Sequence, residues 1–198
     1  MISDIFKPAV VRIITPTAKG LLRIGLTPNS VTAIGAAGVI ATSLIAYPSG
    51  HLFGGTVAIC LMALSDLFDG TMARVSQKGP SRWGGFLDST IDRVTDSAIA
   101  LGLLVYLAQQ SDSLAYVLLV SIVTGFLVSY IRARAESLQI ECKGGFAERT
   151  ERLIILLAAI GFTGLGIDYI LTVGVWLLAL ASLFTVAQRL LIVWKATK

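Results

Sequence analysis

Five aspartates crowd one short stretch of an otherwise apolar chain: Asp66 and Asp69, then Asp88 and Asp92, then Asp96. On a helix, Asp66 and Asp69 at i, i+3 share a face, and so do Asp88, Asp92 and Asp96 at i, i+4. Gly70 follows Asp69 and Gly84 lies one turn before Asp88, so backbone or ligand can come close to both faces. Brought together, the two faces would surround one small volume with carboxylates. Such a cluster repels itself unless divalent cations hold it, and all-oxygen ligation suits Mg²⁺, Mn²⁺ or Ca²⁺. In a soluble protein the simpler reading of carboxylates at helical spacing is a solvated face. In a membrane, one central Asp costs about 2.5–3.5 kcal/mol and four or five together on the order of 10 kcal/mol, which favours a functional site.

The elements that must position these groups are membrane helices. Of 198 residues, 55% are apolar and 14% charged, and the mean hydropathy is +0.81. These values exclude an ordinary soluble domain and place the chain among polytopic helical membrane proteins. The net charge of +4 comes with no nucleic-acid motif, so the basic excess fits anionic lipid headgroups and phosphorylated substrates, with no nucleic-acid partner. Cys60 sits in an apolar run and Cys142 in a polar loop, which argues against a pair. No cleavable leader pattern opens the chain.

The expected fold is an all-α integral membrane protein of six transmembrane helices preceded by an interfacial amphipathic helix. Residues 1–24 mix Ile5, Phe6, Val10, Ile13 and Leu21 with Lys7, Arg12, Lys19 and Arg23, as a helix lying in the interface does, with breaks near Pro8 and Pro16. Residues 25–198 form the six-span domain. Its spans run near Val31–Tyr47, from Leu52 on through Arg74, Trp83–Leu107, Leu114–Ile131, Glu148–Ile167 and Tyr169–Gln188. Pro28 suits a first helical turn, with Asn29 or Ser30 as cap. The connections near Pro48–His51, Gln109–Leu114 and Phe162–Asp168 hold no Lys or Arg, and all 16 basic residues lie at the opposite ends. The positive-inside rule then puts both termini and the acidic motif on the cytoplasmic side of the cell inner membrane.

Asp66-x-x-Asp69-Gly70-x-x-Ala73-Arg74, nine residues, then Gly84-x-x-x-Asp88-x-x-x-Asp92 resembles the signature of the CDP-alcohol phosphatidyltransferases. The gap is slightly longer than the commoner seven or eight and implies a longer turn with the same ligand geometry. The resemblance implies an enzyme that moves the phosphatidyl group of CDP-diacylglycerol to an alcohol and releases CMP. It implies two ions, Mg²⁺ or Mn²⁺, on Asp66, Asp69, Asp88 and Asp92, with Asp92 also the general base. The donor would lie beside Asp66, Asp69, Gly70, Ala73 and Arg74. Thr27-Pro28-Asn29-x-x-Thr32 matches a segment common in the family, which would bring Asn29 and Thr32 to the donor's diphosphate; ordinary helix capping is the equal alternative. Asp96 lies outside the motif, in a supporting role or as plain helix polarity. A homodimer is implied by the resemblance alone, and Gly35 and Gly38 suit helix packing.

Arg132, Arg152 and Arg189 end or open three spans at similar depth. They fit either snorkelling anchors or a guanidinium clamp for a phosphate. The segments Ser129–Glu136 and Gly145–Arg152 resemble those of a branch of the family, the actinobacterial phosphatidylinositol phosphate synthases, whose acceptor is inositol 1-phosphate. That resemblance implies an acceptor-phosphate site at the three arginines, although the position of Arg132 is more usually lysine. Glycerol 3-phosphate, the acceptor of a phosphatidylglycerol phosphate synthase, is the alternative. A divalent-cation transporter is a remote one, since its carboxylates should lie near mid-bilayer and these lie within about two turns of the cytoplasmic ends.

Overall fold

A computed structural model describes residues 14–76, 79, 81–142 and 144–198, except for the side chain of Asp66. The described residues contain helices and connections and no strand. Helix α1 covers 14–23, and then come α2 (Pro28–Ala46), α3 (Leu52–Ala63), α4 (Ser65–Val75), α5 (Arg82–Gln109), α6 (Leu114–Ser137), α7 (Arg149–Thr163) and α8 (Tyr169–Ala196). An all-helical backbone satisfies its own hydrogen bonds, as a lipid environment requires. The expected break near Pro8 lies outside the described residues. Residues 14–23, Pro16 included, are helical, and proline's fixed φ is compatible with that conformation.

Among the described residues, four stretches are long and apolar enough to cross a membrane: Pro28–Ala46, Leu52–Val75, Leu114–Ser137 and Tyr169–Ala196. Helix α5 has the length, but Asp92, Arg93 and Asp96 interrupt its apolar run. At 15 residues, α7 spans roughly 22 Å, against about 30 Å for a bilayer's hydrocarbon core. Helix α8 shows why these are lipid-facing helices. Its buried stripe of Leu171, Val175, Leu178, Ser182, Thr185 and Arg189 is no more apolar than the exposed Val173, Trp176, Leu177, Leu180 and Phe184 on its other face.

The chain divides into two compact units. The first combines the segments Met1–Ser43 and Val57–Ile99. In it α2 lies against α3 and α4 through small residues. A Cβ on Gly35 would fall 1.9 Å from Ser65 Oγ, and one on Gly38 would fall 2.6 Å from Met62 Sδ. Both glycines thus serve packing inside the chain. The second unit combines Leu44–Thr56 and Ala100–Lys198, with α8 packed on α6 and α7. Gly174 lets α8 approach Ala159, and the buried Tyr47 hydroxyl bonds Thr56 Oγ1 at 3.0 Å.

Candidate active site

The first unit contains a cavity of about 960 Å³. Asn29, Thr32, Asp69, Gly70, Ala73, Arg74, Gly84 and Asp88 all line it, so the structure gathers most of the expected donor and metal residues on one surface. Local chemistry explains how each wall is held. Thr27 caps α2: its Oγ1 accepts the Ser30 N–H at 3.2 Å, and its own N–H donates to Ser30 Oγ at 3.0 Å. The cap is therefore Thr27, the residue before the first helical position, rather than Asn29 or Ser30; Ser30 reciprocates with its hydroxyl, and Asn29 lines the cavity. Ser81 caps α5 by accepting the Gly84 N–H at 2.9 Å and also lines the cavity. A helix-start serine three residues before Gly84 was a legible signal for this residue, which the aspartate motif by itself does not include. A Cβ on Gly70 would meet only Arg74 Nη2, at 3.8 Å, so the missing side chain leaves that wall open. Arg74 Nε donates to Gly70 O at 3.0 Å.

Asp69 is only 7% exposed, and Thr32, 6% exposed, donates its hydroxyl to Asp69 Oδ2. Asp88 is exposed at the other wall. Asp92, half-buried one turn further along α5, pairs with Arg93 Nη2 at 3.5 Å. It is not among the cavity's lining residues, nor is Asp96. Among the described residues no three His, Cys, Asp or Glu side chains are grouped to hold an ion, and the Asp66 side chain lies outside that set. The donor set still fits a hard divalent cation. Its members on the cavity are carboxylates from two helices, Asp69 on α4 and Asp88 on α5, and all-oxygen ligation suits such an ion.

The second unit holds the basic residues. Arg189 is 3% exposed; its Nε donates to Gly144 O at 3.3 Å and its Nη1 to Val128 O. Arg152 Nη1 donates to Ala147 O at 2.9 Å. The same loop is pinned to α8 from its other side, by the Ala147 N–H on Thr185 Oγ1 at 3.1 Å and the Phe146 N–H on Gln188 Oε1 at 3.0 Å. Gly145 makes this possible: its φ is +151°, and a Cβ there would fall 2.7 Å from Thr185 Cγ2. Arg152 and Arg189 thus meet on one loop. Arg132 is exposed and turned to Glu136 Oε1 at 2.9 Å. Thr185 and Gln188 carry no motif, and contacts about 40 residues apart in sequence left no signal to find them by.

A profile of the CDP-alcohol phosphatidyltransferases matches residues 25–187. The phosphatidylinositol phosphate synthase of Streptomyces avermitilis is 44% identical over 191 residues, covering 92% of this chain and 78% of that protein. The enzyme of the same name from Mycobacterium tuberculosis strain H37Rv is 44% identical over 193 residues, covering 95% and 88%. A crystal structure of the M. tuberculosis enzyme with CDP-DAG bound matches with a TM-score of 0.88 at 44% identity, over 92% of this chain and 94% of that one. Another, in complex with manganese and citrate, matches with a TM-score of 0.86 at 42% identity, over 91% and 88%. With Asp69, Gly70, Ala73, Arg74, Gly84 and Asp88 of its motif on one cavity and its length matched nearly end to end, the chain belongs to the CDP-alcohol phosphatidyltransferase family.

Proposed function

We infer that the chain transfers the phosphatidyl group of CDP-diacylglycerol to inositol 1-phosphate, giving phosphatidylinositol phosphate and CMP. The observation that carries this reading is the cavity that unites Asp69, Gly70, Ala73, Arg74, Gly84 and Asp88 with the start of α2. The identity to relatives of that name and the likeness to a CDP-DAG-bound structure support it.

Asn29, Thr32, Gly70, Ala73 and Arg74 receive the cytidine diphosphate, with the open wall at Gly70 admitting the ligand and Arg74 supplying a cation. Asp66, Asp69, Asp88 and Asp92 would hold two divalent ions, Mg²⁺ or Mn²⁺, which when bound neutralise the diphosphate and the departing CMP. Asp92 accepts the proton of the attacking hydroxyl. The acceptor oxygen bonds to the phosphorus that carries diacylglycerol, and the bond from that phosphorus to the CMP oxygen breaks. Arg132, Arg152 and Arg189 bind the phosphate that the acceptor already carries. The enzyme crosses the cell inner membrane six times as a homodimer, with α5 and α7 completing the count, 1–24 in the interface, and termini and site cytoplasmic.

The test supplies purified protein with CDP-diacylglycerol and Mg²⁺ and compares CMP release with inositol 1-phosphate, free inositol and glycerol 3-phosphate. Release with inositol 1-phosphate alone is expected. Release with glycerol 3-phosphate instead would keep the donor site and overturn the acceptor.

A further inference from the structure

We propose that Thr32 is a positioning residue for the metal centre: through its hydroxyl on Asp69 Oδ2, it sets the orientation and basicity of that carboxylate. The proposal rests on the reading of Asp69 as a metal ligand. A threonine within a helix ordinarily bonds the carbonyl four residues back, and Thr32 Oγ1 does lie 3.1 Å from Pro28 O. Its one proton has a better acceptor, because a bond to a carboxylate is charge-assisted and roughly twice as strong as a neutral one. Both partners are buried, so water does not compete for the bond.

The packing of the first unit enforces this contact. Thr32, Gly35, Ala36 and Val39 form the buried stripe of α2, and Ser65 and Asp69 share one face of α4 at i, i+4. Gly35 against Ser65 of α4 and Gly38 against Met62 of α3 set α2 antiparallel to the α3–α4 segment, at a separation where an added Cβ would meet Ser65 Oγ or Met62 Sδ. One turn before Gly35, that spacing brings Thr32 to Asp69. A metal-binding carboxylate fixed by a hydrogen bond from outside the ligand set keeps one oxygen aimed at the ion, and losing such a partner costs about 10- to 100-fold in metal affinity.

The experiment titrates Mn²⁺ into the full-length protein in detergent, without substrate, and reads free Mn²⁺ by electron paramagnetic resonance. Thr32→Val keeps the shape and removes the donor; it should weaken Mn²⁺ binding about tenfold or more, and Thr32→Ser should restore it to within about twofold. With saturating Mn²⁺, Thr32→Val should change kcat more than the KM for CDP-diacylglycerol. Wild-type Mn²⁺ affinity in Thr32→Val, with only a raised KM for CDP-diacylglycerol, would mean that Thr32 serves the donor alone and not the metal centre, and the proposal would fall. Should Thr32→Val not fold, Thr32→Cys, with its weaker S–H donor, decides on the same titration, and undiminished affinity overturns the proposal. Asp69→Asn separates the two levels: if it binds Mn²⁺ as the wild type does, the metal-ligand reading itself is wrong.

Discussion

The two charged regions are built in opposite ways. In the first unit the acidic groups stand on helices α4 and α5, and two of them, Asp69 and Asp88, line a cavity of about 960 Å³. In the second unit the basic groups are drawn into the protein's own framework. Arg189 and Arg152 bond three backbone carbonyls, and the loop they hold is also anchored by Thr185 and Gln188. A carboxylate row on a helical face needs only the helix to be in register. A guanidinium buried against carbonyls of distant segments needs the whole local fold. Substitutions in the acidic region should therefore remove chemistry and leave stability, whereas those in the basic region should cost chemistry and stability together, in proportions that depend on burial.

The largest effect is expected at Asp92. Asp92→Asn should lower CMP release by about 10²- to 10⁴-fold, the usual worth of a general base, and leave the melting temperature in detergent within about 2 °C of the wild type. Loss of activity through unfolding would erase the contrast between the regions. Arg189→Ala tests the other pole: it strands the carbonyls of Val128 and Gly144 and should destabilise by about 3 kcal/mol, a fall of roughly 5–10 °C. Arg189→Lys should recover little of it, since a point charge cannot replace the guanidinium fork.

Arg152→Ala should raise the KM for inositol 1-phosphate by about 10- to 100-fold while the KM for CDP-diacylglycerol and Mn²⁺ affinity stay put. A change in metal affinity there would show that the two regions are not functionally separable. The smallest effect belongs to Arg132→Ala. Its exposed pair with Glu136 contributes about 0–1 kcal/mol, so melting should hardly move. A KM effect as large as that of Arg152→Ala would show that Arg132 leaves Glu136 for the acceptor.

How much was legible follows the same divide. Asp66, Asp69, Asp88 and Asp92 announce themselves because a helix converts spacings of three and four into a shared face without help from elsewhere. The helical class and the starts of α2, α3, α5 and α6 were legible for a related reason, since apolar runs and turn residues are local; the division between α3 and α4 at Leu64, inside what reads as one continuous helix, was not. Other features were not legible. Thr27 rather than Asn29 or Ser30 caps α2, because the helix begins at Pro28 and so places Asn29 and Ser30 inside its first turn. Thr32 falls on Asp69 because Gly35 admits Ser65. Arg189 runs inward to Val128 and Gly144 although its sequence context is that of an ordinary anchor at a helix end.

By itself, the sequence determined the membrane class, the acidic helical faces and the family that carries them, since each depends on composition or on spacings within a few helical turns. Tertiary structure alone decided which residues share a cavity, which hydroxyl serves which carboxylate and which arginines are buried. Those outcomes depend on contacts between segments tens of residues apart, and a hydrogen bond across that distance exists only once close helix packing has set its geometry.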